Sequence, residues 1–254
     1  MTAVAGVSVD WYRTSFAAGT GALDFELGGE ETAQLALQML ELDGWERILD
    51  LACATGTRTL ELCRAGFDVI GIDVCGDLLE AAGGEAELQD LLPWFYEEDP
   101  RCMEFEREFD VVLSLGGGAF EHFDSDEENM RAFERAARAL RSGGRLLMQT
   151  PNVLHVEAHL PPRTWFQAGE TIDLIEQHWN APTHRLDGMR RTLIEFDSPQ
   201  DCEPVPFQRR LYTVEELAGI FEQVGLHLAD VFDENGRPCA PSDVERELYV
   251  EARR

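Results

Sequence analysis

Between Ile48 and Asp73 the chain reads ILDLACATGTRTLELCRAGFDVIGID. An apolar strand enters a turn of small residues, Ala52-Cys53-Ala54-Thr55-Gly56. A helix follows, then a second apolar strand that stops at an acid. This is half of a nucleotide-binding α/β unit, and it constrains the fold more than any other segment. A ligand can approach a backbone only where side chains are small, and its donors then come from turn amides and the start of the next helix. Gly56 alone has full backbone freedom and is expected to mark the closest ligand approach. Ala52 and Ala54 carry a Cβ, which disfavours positive φ, so ordinary backbone angles are expected there.

The pattern continues along the chain. Glu31 to Leu42 has helical apolar spacing. Arg47 to Leu51 and Phe67 to Ile72 are the first two strands, with a helix from Thr57 to Ala65 between them. Asp77 to Leu92 reads as a helix ended by Pro93, and Trp94-Phe95-Tyr96 as a short third strand. Phe109 to Leu115 is the fourth strand, followed by Gly116-Gly117-Gly118. Ser125 stands three residues before Glu128 and suggests a capping box for an amphipathic helix running to Leu140. Arg145 to Gln149 is the fifth strand. From Arg163 to Leu211 the rhythm changes to loosely alternating runs, Thr171 to Ile175, Arg191 to Phe196 and Pro206 to Leu211, which reads as an antiparallel insertion or lid. Thr213 and Glu216 form a second capping box, opening a helix to Val224. Leu226 to Phe232 and Glu247 to Val250 are the last strands. Strand–helix alternation on both sides of the insertion argues one doubly wound α/β domain. Residues 1–162 form an N-terminal cap and a cofactor-binding half, 163–211 the insertion, and 212–254 the rest of the same domain.

Composition narrows the partners. The formal net charge is -28, and all 21 basic residues are arginines. Without lysine, Schiff-base chemistry is excluded. So negative a field repels phosphate backbones and anionic lipids, which argues against nucleic-acid and membrane partners. The first residues lack the basic start and apolar run of a secretory signal, and no apolar stretch is long enough to span a bilayer. The six cysteines show no paired metal-ligand spacing, so a reduced, cytoplasmic setting is expected.

Several strand ends converge on one crevice, where an open α/β sheet binds its ligand. Asp73 ends the second strand and can accept from both hydroxyls of an unphosphorylated ribose. Asp99 closes the third and can accept from an adenine amine. Leu115 and the following glycines end the fourth. These features suit NAD as well as S-adenosylmethionine. Two others separate them. The third and fourth strands are joined only by Arg101 to Glu108, where a hydride-transfer domain would place a long crossover. The chain then ends in a helix, a strand, the turn Asp233-Glu234-Asn235-Gly236 and a last strand, which looks like a terminal antiparallel pair.

Together these segments resemble the class I S-adenosylmethionine-dependent methyltransferases, in the small-molecule branch that includes glycine/sarcosine N-methyltransferase-like enzymes. The matching pieces are ILDLACATGTRTLEL, VIGID, EEDPRCMEF, FDVVLSLGGGAFEHF, ALRSGGRLLMQTPN and RRLYTVEELAGIFEQVGL, with DWYRTSF resembling a segment that closes over the site. The resemblance implies a seven-stranded, mostly parallel, Rossmann-like sheet with the antiparallel insertion after strand five. It implies S-adenosyl-L-methionine as cofactor and a small-molecule substrate. Ala52, Ala54 and Gly56 would surround the methionine part, Asp50 would begin that motif and orient the loop or the cofactor's ammonium, and Asp73 with Val74 would hold the ribose. Asp99 and Pro100 would meet the adenine, and Leu115, Gly116 and Gly117 would run beside the sulfonium. Ala52 and Ala54 replace the glycines usual in this loop.

Methyl transfer demands orientation more than acid strength. A neutral amine attacks almost unaided, whereas a hydroxyl needs a base, so N-methylation is slightly favoured over O-methylation. His122, on the loop after strand four, is the candidate base. Tyr12, Asn152, Arg210 and Tyr212 are candidates for orienting the substrate, and Arg209 or Arg210 for binding a carboxylate. His155 and His159 share helical spacing, but their order does not match the zinc hydrolase motif, so no metal is expected and the segment reads as a linker. Trp165, Phe166 and Trp179 suit an apolar lid or a subunit contact, and the strand-rich insertion could pair across a homodimer.

Overall fold

The computed structural model describes residues 28–116, 119–168, 171–194, 204–244 and 246–254. At its centre β1 (Arg47–Leu51) pairs in parallel with both β2 (Asp68–Asp73) and β4 (Phe109–Ser114). β3 (Trp94–Glu97) adds to β2, and β5 (Leu140–Pro151) to β4, again in parallel. β11 (Glu247–Arg253) then runs antiparallel to β5, and β10 (His227–Phe232) antiparallel to β11. The sheet has seven strands in the order β10-β11-β5-β4-β1-β2-β3. The order reverses beside β1, which puts the β1 and β4 loops at the switch point where open α/β sheets bind ligands.

Alternation of side chains along each strand builds two cores. Val112, Leu146, Met148 and Val250 face α4 (Asp126–Ala139) and α6 (Val214–Gln223), through Phe133, Ala136, Leu217 and Phe221. Val111, Leu113, Leu147 and Tyr249 face α1 (Gly29–Met39) and α2 (Thr57–Arg64), through Ala36, Met39 and Leu62. Because both faces are covered, the central strands read as continuous apolar runs. α3 (Gly76–Leu88) leaves the end of β2 and packs against β3.

The insertion is a four-stranded antiparallel sheet, β6 (Arg163–Ala168), β7 (Thr171–Asn180), β8 (Arg185–Ile194) and β9 (Val205–Arg210). The sequence pattern does not announce β6, and β8 starts at Arg185 rather than at Arg191. The segment expected to be a linker is a helix, α5 (Val153–His159), capped by Asn152, whose side chain accepts from Leu154 N–H at 3.1 Å. Ser125 accepts from Glu128 N–H at 3.2 Å, and Thr213 with Glu216 makes a complete capping box. Both expected helix starts therefore form. Among the described residues no helix is long and apolar enough to cross a membrane.

Candidate active site

The turn after β1 is folded against the end of β2. Cys53 N–H donates to Ile72 O at 3.0 Å, and Ala54 N–H to Asp73 Oδ2, also at 3.0 Å. The other Asp73 oxygen accepts from Cys75 N–H at 2.9 Å. Burial raises the Asp73 carboxyl above its ordinary value, and the backbone N–H groups of Cys75, Ala54 and Val74 only partly offset this. Three backbone N–H groups thus meet a carboxylate with about four acceptor positions, so some acceptor capacity is left.

Ala52 and Ala54 do not have ordinary angles. Their φ values are 53° and 51°, and Gly56 follows at 75°. The expectation for the two alanines is therefore overturned, because tertiary hydrogen bonds to Ile72 and Asp73 set the path of the turn. Three left-handed residues at alternate positions curl this backbone tightly, as in the concave nests of main-chain amides that hold anions. At Gly56 a Cβ would lie 2.8 Å from Phe95 Cζ and 2.9 Å from the Ala82 Cβ. Glycine is demanded there by packing inside the protein as well as by φ.

Asp50 lies fully buried in β1 and faces the first turn of α2. Its Oδ1 accepts from Arg58 Nε at 3.0 Å and Nη2 at 2.6 Å, and its Oδ2 from Thr59 Oγ1 at 2.7 Å. Asp50 thus ties the helix to the strand across the turn. Burial, then the Asp50 and Asp73 carboxylates, push the Cys53 thiol well up, so it stays protonated and unreactive. Asp99 lies two residues beyond β3, and its carboxylate is clamped by Arg101 through Nε at 3.1 Å and Nη2 at 2.6 Å. Arg101 also reaches Glu128 at 2.7 Å and covers the Phe123 ring. Pro100 is buried beside this clamp. An open groove of about 600 Å³ runs past it, lined by Tyr96, Glu97, Glu98, Cys102, Glu104 and Phe105.

Leu115 is buried at the end of β4, and Gly116 N–H donates to Gln149 Oε1 at 3.0 Å. His122 is half-buried on the same loop. Its neighbour Glu121 is buried, accepting from Thr150 Oγ1 at 2.6 Å and from the Arg209 guanidinium. Arg210 is also held internally, by Glu216 at 2.5 Å and by the Leu211 carbonyl. Burial would raise the Glu216 carboxyl, but Arg210, Thr213 N–H and His184 hold it below its ordinary value. Tyr212 is buried against Phe133, with its hydroxyl 3.4 Å from the Phe120 carbonyl, and burial raises its phenol well above the usual range. Asn152 donates to the Pro241 and Val244 carbonyls at 3.0 and 2.7 Å. Arg210, Tyr212 and Asn152 therefore join the insertion and the last strand to the main sheet. Tyr12 and Gly117 lie outside the described residues. The rings of His155 and His159 stack at 4.6 Å, and among the described residues no three acidic, His or Cys side chains are grouped to hold a metal.

Residues 48–144 match the methyltransferase domain family. The glycine/sarcosine N-methyltransferase of Aphanothece halophytica is 26% identical over 164 residues, a stretch covering 63% of this chain and 59% of that enzyme. The chain thus spans less than two thirds of the length of this relative. Among solved structures, the CcbJ methyltransferase from Streptomyces caelestis superposes with a TM-score of 0.73 at 18% identity, covering 89% of this chain and 88% of that one. An S-adenosylmethionine-dependent methyltransferase from Clostridium acetobutylicum does so with 0.71 at 14%, covering 96% and 98%. Residues 48–144 thus carry the match to the methyltransferase domain family, and the chain shares the fold of these solved methyltransferases.

Within that methyltransferase fold, the two alanines are the departure with a physical cost. Left-handed backbone costs an L-residue roughly 1–2 kcal/mol relative to glycine, part of which glycine loses again in unfolded-state entropy. Ala54→Gly is expected to raise stability by up to about 1 kcal/mol, a Tm gain of about 2–4 °C. Ala54→Val should do the opposite by more, because a β-branched side chain tolerates positive φ poorly. Thermal melting of the two variants checks this, and equal Tm values would show that the turn relaxes without strain.

Proposed function

We propose that the protein binds S-adenosyl-L-methionine above the ends of β1, β2 and β4. It transfers the methyl group to a nitrogen or oxygen of a small metabolite, nitrogen being slightly favoured. The observation that carries this reading is the pair of alanines held at positive φ, at 53° and 51°, against a buried acid at the switch point. Strain of this kind persists where the surroundings enforce it, and it clusters at binding sites. The residues fit such a cofactor. The curled backbone at 52–56 suits a carboxylate, the remaining acceptor capacity of Asp73 suits a ribose hydroxyl, and the neighbouring groove is lined by Glu97 and Glu98, just ahead of Asp99 and Pro100 in the chain. The cofactor, when bound, supplies an electrophilic methyl on a sulfonium.

The protein's own task is to orient the acceptor and to exclude water. A neutral amine needs no stronger help, and the similarity to an enzyme named for N-methylation agrees. Where the acceptor must lose a proton, His122 is the group to receive it, half-buried on the loop that leaves β4. Calorimetric titration should show saturable binding of S-adenosylmethionine. No binding at millimolar cofactor would sink the reading, and a preference for NADH would replace it with an oxidoreductase. His122→Ala is expected to lower kcat by roughly 10²-fold, with the cofactor Kd within about twofold of the native value. A rate unchanged across pH would remove His122 from the reaction.

A further inference from the structure

The two arginines suited to gripping a carboxylate are already matched by carboxylates of the chain itself. Arg209 is bound by the buried Glu121, and Arg210 by Glu216. One more carboxyl stands on the same rim of the sheet. Glu247 opens β11 opposite Pro151, the last residue of β5. Its side chain is hydrogen-bonded by Gln149. The Gln149 carbonyl oxygen accepts from Gly116 N–H, so the side-chain NH₂ is the donor towards Glu247. Glu247 is thereby linked, through one amide side chain, to the loop that leaves β4.

We propose that the acceptor site selects an amine that is protonated in solution and lacks a carboxylate, with Glu247 as the selecting group, Glu121 as the group that silences Arg209, and His122 as the group that takes the ammonium proton so that the nitrogen lone pair can attack the methyl carbon. The proposal rests on the methyltransferase reading and deepens it. An anionic acceptor would have to displace Glu121 from Arg209 while facing Glu247 and Glu234. A cationic acceptor meets an acidic rim on which the Arg209 guanidinium is neutralised. The net charge of -28 adds a long-range attraction of the same sign. The groups facing Glu247 are Arg209 on β9, Glu121 on the β4–α4 loop, Glu234 before β11, Gln149 on β5 and Tyr249 on its own strand. Burial, opposed by Arg209 and reinforced by Glu121 and Glu234, pushes the Glu247 carboxyl up to about 7. It loses its charge on mild acidification, so selection for a cation should weaken as pH falls below neutrality.

The test works with the acceptor still unidentified. The protein is incubated at about pH 7, where Glu247 is still partly charged, with methyl-labelled S-adenosylmethionine and a metabolite extract; labelled products are freed from the unreacted cofactor, itself a cation, by reversed-phase chromatography against an enzyme-free control, and then sorted by cation and anion exchange. Label is expected on the cation exchanger. Label on the anion exchanger, or in the unretained neutral and zwitterionic fraction, overturns the proposal while leaving methyl transfer intact. No label in any fraction defeats the methyl-transfer reading and takes this proposal with it. With the labelled acceptor in hand, Glu247→Gln should lower kcat/KM about tenfold or more through KM, with cofactor Kd unchanged. It should also remove the Glu247 part of the rise in kcat/KM between about pH 6 and 8, leaving the part that comes from His122. Glu247→Asp, which keeps the charge, should restore both in part. An unchanged KM and pH profile in a folded Glu247→Gln overturns the proposal. If that variant does not fold, loss of the preference for cations in Glu247→Asp overturns it instead.

Discussion

Asp50→Ala is expected to lower the unfolding free energy by about 3–5 kcal/mol, the range for breaking a buried ion pair from one side. Asp50 is fully buried, and Arg58, its partner at 2.6 Å, is only 6% exposed. Removing the carboxylate leaves a guanidinium without its counter-charge in a place water does not reach, and leaves the Thr59 hydroxyl without its acceptor. For a chain of this length the loss corresponds to a Tm lower by roughly 10 °C or more. A surface pair such as Arg138–Glu106, more than half exposed at both ends, should contribute under about 1 kcal/mol.

Two controls separate charge from packing. Asp50→Asn keeps the volume and can still accept from Thr59, so it should lose less than Asp50→Ala. Asp50→Ala combined with Arg58→Met removes both charges, and should recover about 1–3 kcal/mol of the single-variant loss. Denaturant melts of the native protein and these variants give the coupling directly. A drop below about 1 kcal/mol for Asp50→Ala would mean that the first turn of α2 is held by other contacts. Because Arg58 and Thr59 open α2 beneath the proposed cofactor, the unstable variant should also bind that cofactor less tightly.

The legible part of this fold is the part written in continuous apolar runs. ILDL, VIGI and VVLSL are buried on both faces, and buried parallel strands carry that signature wherever they occur. Capping residues mark the starts of α4 and α6 because a cap is a local hydrogen bond between residues three apart. The insertion is harder to read. β6 shows no clear alternation, and α5 has only seven residues, too few for a helical period to declare itself. The backbone at Ala52 and Ala54 escapes a sequence reading for a different reason. Residue preference argues against positive φ, but bonds from Cys53 to Ile72 and from Ala54 to Asp73 override it. The Arg209–Glu121 pair joins residues 88 positions apart. Nothing local in the sequence foretells such a partner, so Arg209 and Arg210 read as ligands for a substrate carboxylate when both are spoken for inside the chain.

Asp73→Asn should show the reverse of the Asp50 pattern, a large loss of binding with little loss of stability. The Asp73 carboxyl lies above its ordinary value, which means that the fold disfavours its charge. With the folded value raised above the unfolded one, the protonated form is the one the fold prefers. That contribution is complete below the unfolded pKa and is lost as pH rises through the folded value. At neutral pH the ionised Asp73 therefore costs stability, and an uncharged isostere removes the cost while giving up at least one of three backbone bonds. The Tm of Asp73→Asn is expected to stay within about 3 °C of the native protein. Its affinity for S-adenosylmethionine should fall by roughly 10²-fold, because one oxygen becomes a donor that faces either a backbone N–H or a ribose hydroxyl. Asp73→Ala should lose at least as much and also loosen the turn at Ala54. Calorimetric titration beside thermal melting reads both quantities on the same samples. Unchanged affinity in a folded Asp73→Asn would move the ribose away from β2. A matching collapse of Tm would make Asp73 a structural anchor first and a ligand group second.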